Sequence, residues 1–376
     1  MRVGLLMVGD YNWAGGLYYV LNIIRLFKLK ENQTQKIRLV IFYNKSTPSE
    51  ILDELKMYPV ELVDMDKHSL IYKVYCKLIY SLIKINIRFI NEINNQKVDY
   101  LFPLTDYLPE QNRISSKIIY WLYDFQHFFL PQLFSPQEIV RRNLSFQNIA
   151  HQGHRIVVSS QDSLNSFHNF FPSSKARVHV YEFVSIIDKS GLTPSIGTAY
   201  NLTGKYFLVS NQFWQHKNHI VILKAIQLLV QKGLKTKVVF TGSQNDHRNK
   251  SYFTELKKFI DQNKLNDYIL FTGFISRENQ LALMDDSLAV IQPSLFEGWS
   301  TVVEDAKALS KPILASNLAV HHEQIKMNGL FFEPADFQTL AGHMSTLLSS
   351  GFTSADTNYG QYLNVSFNTL LDIFKE

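Results

Sequence analysis

Ile291-Gln-Pro-Ser-Leu-Phe-Glu297-Gly-Trp-Ser-Thr-Val-Val-Glu304-Asp-Ala-Lys-Ala-Leu-Ser-Lys-Pro312-Ile-Leu-Ala-Ser316 decides how the rest of the chain is read. The run Leu288-Ala-Val-Ile-Gln-Pro ends a buried strand that breaks at Pro293, because proline has no N–H to give a ladder. The chain turns over Glu297-Gly298, and Val302, Val303, Ala306 and Leu309 then recur at helical spacing. Strand, loop, helix and strand follow in order. Thr301 with Glu304 three residues on makes a capping-box pattern, which sets the helix start beside the loop carrying Glu297 and Ser300. A helix beginning after a parallel strand points unpaired N–H groups and its positive dipole end into the crevice where phosphates are commonly held. The spacing leaves two readings of the acids. Glu304 closes the capping box and Glu297 is a solvated loop acid, or both look into the crevice from one helix face.

The segment Glu297-Gly-Trp-Ser-Thr-Val-Val-Glu304-Asp-Ala-Lys-Ala-Leu-Ser-Lys-Pro312 closely resembles the donor-binding segment of the family-4 retaining glycosyltransferases, the group 1 transferases of GT-B fold. The resemblance covers most of residues 1 to 345 and is strongest from Val209 to Asp336. The family usually places seven residues between its two glutamates; this chain has six. The resemblance implies an α/β chain of GT-B architecture, two doubly wound parallel-sheet (Rossmann-like) domains facing a cleft. It also implies a hexosyltransferase-type reaction that moves a sugar from a nucleotide-diphosphate donor to an acceptor with retention. Surface polysaccharide, lipopolysaccharide or glycolipid assembly is the setting it suggests. The leaving phosphate oxygen would take the acceptor proton while the new bond forms on the same face. Glu297 would position the donor sugar, Glu304 the ribose hydroxyls, and Ser300, Thr301 and Val302 would meet the donor at the helix start.

Asn211-Gln-Phe-Trp-Gln-His-Lys217 leads into the helix Ile220 to Lys232, and a cation just before a helix start suits a diphosphate. Taken alone, Lys217 reads as a surface lysine. The family carries an Arg and a Lys five apart here, both on the diphosphate; Lys217 matches, and Gln212 stands where the Arg would be. A bidentate charged grip becomes a neutral hydrogen bond. Phe274 and Ile275, after Gly273, correspond to residues lying along the nucleotide base. The paired Gly15 and Gly16, in the loop Asp10 to Gly16 before a helix from about Leu17 to Leu29, allow close backbone approach; in the family such a pair faces the donor. His127 follows the strand Ile118 to Tyr123, with Asp124 three residues before it. Its segment resembles the family's acceptor-side loop, whose histidine contacts the donor sugar.

No metal or other cofactor is expected. Asp64-Met-Asp66 matches the short DxD pattern of the other large glycosyltransferase fold, a pattern that arises often by chance. His321-His322-Glu323 lacks a third ligand spacing. The single cysteine, Cys76, excludes intramolecular disulfides and zinc-ribbon sites.

At 376 residues and 46% hydrophobic content the chain suits two domains. These are 1–190 on the acceptor side and 200–360 for the nucleotide sugar, with 361–376 a helix that crosses back to the first domain. The stretch from Asp188 to Gly204, rich in Gly, Ser, Thr and Pro, is the linker. The net charge of +5 lies wholly before residue 196, with 22 Lys and Arg against 17 Asp and Glu there and 16 against 16 after it. It is too diffuse for a nucleic-acid protein. A long helix from Leu70 to Ile93 carries Lys73, Lys77, Lys84 and Arg88 among apolar residues. Either it packs on the sheet with its lysines solvated, or its basic edge lies on anionic lipid. The partners implied are a nucleotide-sugar donor, a saccharide or lipid-linked saccharide acceptor and an anionic membrane surface. The location expected is cytoplasmic, peripheral on the inner face of the cell membrane. Two other readings stay open: another GT-B enzyme such as a nucleotide-sugar epimerase, and a non-catalytic partner subunit, hinted at by Gln212.

Overall fold

The computed structural model describes residues 1–34, 36–83, 85–152, 154–202, 204–351 and 358–375. The chain parts into two compact units. One holds Met1–Asp124, Val140–Val184 and the chain from Tyr362 on, the other Phe125–Ile139 and Ser185–Gln361.

The first unit is built on seven parallel strands, β1 (Arg2–Leu6), β2 (Arg38–Tyr43), β3 (Glu61–Asp64), β4 (Tyr100–Leu104), β5 (Lys117–Trp121), β6 (Arg155–Val158) and β7 (Arg177–Val180). Their order across the sheet is β3-β2-β1-β4-β5-β6-β7. The second unit repeats the scheme with β8 (Tyr206–Ser210), β9 (Lys237–Thr241), β10 (Ile269–Gly273), β11 (Ala289–Gln292), β12 (Ile313–Ser316) and β13 (Gly329–Phe332), in the order β10-β9-β8-β11-β12-β13. In both sheets the winding reverses beside the first strand. That is where a doubly wound sheet opens a crevice at the carboxyl ends of its strands.

Runs of successive apolar residues let the central strands serve two faces at once. Phe207, Val209, Val238, Phe240 and Ile291 belong to one buried cluster of the second unit, while Leu208, Val239 and Val290 belong to another. Successive side chains point to opposite faces, so a helix-covered sheet needs such runs. The linker stretch contributes to this packing: Ile196 and Leu202 are buried in the second cluster.

Three sequence expectations change. The helix foreseen from Leu70 to Ile93 is two helices, Leu70–Ile83 and Ile87–Asn95, because Asn86 starts a new one: its Oδ1 accepts from the Phe89 N–H at 3.2 Å. Asparagine favours such a capping position over a helix interior; Lys84 lies outside the described residues. The first helix starts at Ala14, so Gly15 and Gly16 lie inside its opening turn and not in the loop before it. The segment Phe125–Ile139, expected in the N-terminal domain, makes its contacts with the second unit. Arg248 accounts for part of this, since its guanidinium lies over the rings of Phe134 and Trp214 and donates to Gln126 Oε1 at 3.2 Å.

Candidate functional site

Two loops leave the carboxyl ends of β8 and β11, the strands on either side of the second unit's winding reversal. The first carries Gln212 and Lys217 into the helix His219–Gln231. The second carries Glu297 into the helix Thr301–Ala308. They meet in an ion pair, Lys217 Nζ to Glu297 Oε1 at 2.6 Å, with the two side chains 15% and 9% exposed. The same Oε1 accepts from Gln292 Nε2 at 2.7 Å and Ser294 Oγ at 2.6 Å, and Asn211 Nδ2 donates to Gln292 Oε1 at 3.0 Å. Burial works to raise the Glu297 carboxyl, but the charge and hydrogen bond of Lys217 and the Ser294 hydroxyl outweigh it, leaving it below the ordinary carboxylate value. Glu297 is therefore a held anion, not a solvated loop acid.

Asn218 explains how the Lys217 loop is aimed. It sits at φ +52°, a left-handed conformation that asparagine tolerates better than most residues. Its Nδ2 donates to Pro293 O at 3.1 Å and Pro334 O at 2.8 Å, tying the loops after β11 and β13 to the lysine. Behind it, burial and then the Lys217 charge push the His219 imidazole down to about 3, so that ring stays neutral. Gly242, at φ +133°, lets the β9 turn pass Asn211, whose carbonyl would lie 2.4 Å from any added Cβ.

The helix after Glu297 is capped differently from the sequence expectation. Ser300, not Thr301, is the N-cap, with its Oγ accepting from Val303 N at 3.3 Å. Gln324 takes the part foreseen for Glu304: its Oε1 accepts from Ser300 N at 3.1 Å and its Nε2 donates to Ser300 O at 2.8 Å. Glu304 is buried one turn in. Its Oε1 accepts from Lys307 Nζ at 2.7 Å and Gln324 Nε2 at 2.9 Å, and its Oε2 from Tyr359 OH at 2.7 Å. Beside it Asp305 pairs with Arg277 Nη1 at 2.6 Å and accepts from Ser185 Oγ at 2.5 Å. Burial and the neighbouring Glu304 charge hold the Tyr359 phenol well above its usual range. The N–H groups of Thr301 and Val302 are left at the open end of the helix, where intrahelical geometry gives them no acceptor.

The remaining candidates fall in separate places. His127 is buried against Phe128 and Phe134, and Phe129 stacks on Phe296, the neighbour of Glu297, at 5.4 Å between ring centres. The structure thus puts the His127 segment in the same unit as Glu297 and Lys217. Phe274 stands exposed after the edge strand β10, while Ile275 packs inward. Gly15 and Gly16 belong to the first unit. Asp66 Oδ2 accepts from Lys45 N at 2.9 Å and Asp64 Oδ1 from Asp66 N at 2.8 Å, so the DxD pair closes a turn. The His321 Nδ1 donates to Ser316 O, and the His322 Nε2 to Asn317 Oδ1. Among the described residues, no group of three or more His, Cys, Asp or Glu side chains is placed to hold a metal ion. An open cavity of about 750 Å³ in the first unit, at the ends of β2 and β3, is lined by Asn12, Asn44, Ser46 and Asp64 among others.

This second unit has known relatives. Residues 197–363 match the family model for the glycosyl transferases group 1. The two loops and the network around Lys217, Glu297 and Glu304, apart from Ser185 and the 125–139 segment, lie within that stretch. Two curated proteins are similar over part of the chain. Over 134 residues the chain is 25% identical to the O-antigen chain mannosyltransferase RfbU of Salmonella typhimurium, covering 35% of each protein. Over 133 residues it is 30% identical to Protein CapJ of Staphylococcus aureus, covering 35% of this chain and 32% of that one. The matches thus span about a third of these relatives. The fold is GT-B, shared by solved structures along nearly their whole length. HepE of Anabaena, crystallised in complex with UDP and glucose, has a TM-score of 0.67 at 16% identity, over 100% of this chain and 97% of that one.

Proposed function

We propose that the chain transfers a hexosyl group from a nucleoside-diphosphate sugar to an acceptor hydroxyl, with retention and without a metal ion, in the assembly of a surface polysaccharide or glycolipid. The observation carrying this reading is the buried Lys217–Glu297 pair at the winding reversal of the group 1 unit. Lys217 sits where charge grows on the departing diphosphate, and a fixed cation in a water-poor site stabilises that charge without reorganising. Glu297, held by three donors, is rigid enough to orient a sugar hydroxyl. The free N–H groups of Thr301 and Val302 and the Ser300 cap complete the anion-binding helix start. Gln212 adds a neutral hydrogen bond, and the exposed Phe274 ring with the Ile275 backbone flanks the base. His127 faces the sugar from the 125–139 segment. Glu304 organises the buried network and keeps one lone pair on Oε2 for a ribose hydroxyl. The polar cavity of the first unit receives the acceptor.

HepE's complex with UDP and glucose supports a uridine nucleotide as the first donor to try, and the name of RfbU supports a polysaccharide product. Thermal unfolding against a panel of nucleoside diphosphates and their sugars tests the reading. A ligand at 100 times its Kd should stabilise the protein by about 2.7 kcal/mol. Donor hydrolysis without acceptor should follow for the sugar nucleotide that stabilises most. A chain that neither binds nor hydrolyses any of them is a non-catalytic partner, and the proposal fails.

A further inference from the structure

The helix Leu70–Ile83 of the first unit leaves a row of apolar residues exposed. Leu70 is 78% exposed, Ile71 84% and Leu82 81%, and Val74, Tyr75 and Leu78 are exposed as well. At 100° per residue these six fall within an arc of about 140°, a continuous stripe along one face. The opposite side is the one that packs: Cys76 is buried, and Tyr72 OH accepts from Asn91 Nδ2 of the helix Ile87–Asn95 at 3.1 Å. A soluble helix normally turns such a stripe inward, so a stripe left outside marks a surface that something else covers.

Charge selects the occupant. The helix has no acidic residue in Leu70–Ile83, and Lys73 and Lys77 flank the stripe. Two acids on the neighbouring elements are engaged, Glu92 with His68 at 3.3 Å and Asp66 with Arg88 at 3.6 Å. A second copy would bring the same lysines face to face with no acid on the helix to meet them. Anionic lipid offers both a hydrocarbon edge for the stripe and headgroups for the lysines, the arrangement of a helix lying in the membrane interface. Among the described residues no helix is long and apolar enough to cross a membrane, so the contact is one of lying on the surface.

We infer that Leu70–Ile83 is a membrane-docking helix that seats the first unit on an anionic lipid surface. Asn86, Arg88 and Phe89, at the start of the helix it packs against, line a second cavity of about 320 Å³ at the ends of β1 and β2. Docking would set this end of the unit near the headgroups, where a lipid-linked acceptor presents its sugar. The inference deepens the acceptor side of the proposed function without resting on it, because vesicle binding is read without turnover.

The test is flotation of the full chain with vesicles of phosphatidylcholine alone and with phosphatidylglycerol added. The wild type should float with the anionic vesicles and dissociate as salt rises. Lys73→Ala and Lys77→Ala should each weaken partitioning roughly fivefold, the effect of one basic residue at such a surface. Ile71→Glu with Leu78→Glu should abolish it, while thermal unfolding and donor hydrolysis stay unchanged, since both side chains are exposed and lie outside the donor site. Equal binding to neutral vesicles would overturn the electrostatic selection. Absence of binding to either vesicle, or a dimer in solution that the Ile71→Glu and Leu78→Glu pair converts to monomer, would overturn the docking inference.

Discussion

The first strand-to-helix junction of each unit occupies the same topological position, yet the two are finished differently. After β1 the chain closes on itself. Asp10 Oδ1 accepts from the N–H groups of Asn12 and Trp13 at 2.7 and 3.1 Å, and the Trp13 ring packs on Trp121 and Tyr123. Gly9 and Gly16 permit that closeness, an added Cβ falling 2.3 Å from Trp13 O and 2.9 Å from Val8 O respectively. After β8 the junction instead delivers a cation, Lys217, onto a buried carboxylate drawn from a second loop. One junction neutralises its helix start with an acid of its own; the other holds positive charge beside it. Repeating a fold therefore does not repeat a site, and the charge set at the crevice marks the unit suited to a diphosphate.

Breaking the second junction should have the largest effect on stability. Lys217→Ala leaves Glu297 buried without its cation, a change that costs about 3 to 5 kcal/mol when a buried pair loses one member. Replacing both, Lys217→Met with Glu297→Gln, should cost less than the single change, as chemical denaturation will show. Glu304→Gln likewise removes the buried charge that Lys307, Gln324 and Tyr359 all meet, and the expected loss is about 3 kcal/mol. If nucleotide affinity falls tenfold while stability holds, Glu304 serves the ribose and not the network.

In the first junction the same logic predicts a purely steric response. Gly16→Ala should destabilise by about 1 to 3 kcal/mol through overpacking. Gly15→Ala, whose new methyl meets nothing nearer than the Trp13 ring at 3.7 Å, should be neutral or slightly stabilising in a helix. A nucleotide affinity lowered by Gly15→Ala would show that this junction also touches donor.

Acid sharpens the contrast from another side. His219 is held near 3 in the folded state and titrates near its ordinary value when unfolded, so the unfolded chain binds the extra proton between the two. Stability should fall by about 1 kcal/mol per pH unit as pH drops from about 6 toward 3. Glu297, lowered when folded, adds to the loss only once pH falls below the usual carboxylate range. His219→Phe, keeping a ring against Phe213, should reduce the slope between pH 6 and 5 without abolishing it, because burial also holds the His216 and His321 rings below their ordinary value. An unchanged slope would place the acid sensitivity elsewhere.

Much of this was legible because it is local. The apolar run before Pro293, the helical spacing of Val302 to Leu309 and a lysine just before a helix start are patterns within one or two elements. The parts that stayed hidden depend on partners far along the chain. Gln324 caps Ser300 from 24 residues away, and Tyr359 reaches Glu304 across 55. The local Thr301 and Glu304 pattern pointed to a capping box that these distant donors displaced. The segment holding His127 follows β5 in sequence, but Arg248 and Phe296 draw it to the other unit, a preference no local pattern encodes. In the helix Leu70–Ile83 apolar spacing could not tell a buried face from an exposed one.

The central claim is that Lys217 supplies the charge that stabilises the departing diphosphate, and its most direct test is single-turnover and steady-state kinetics with the donor found by the binding panel. Relative to the wild type, Lys217→Ala with its fold verified should lose roughly 10²-fold or more in kcat, the scale of removing one preorganised electrostatic donor. Gln212→Ala, which removes no charge, should lose less. A Lys217→Ala protein that folds and turns over at the wild-type rate would contradict the account.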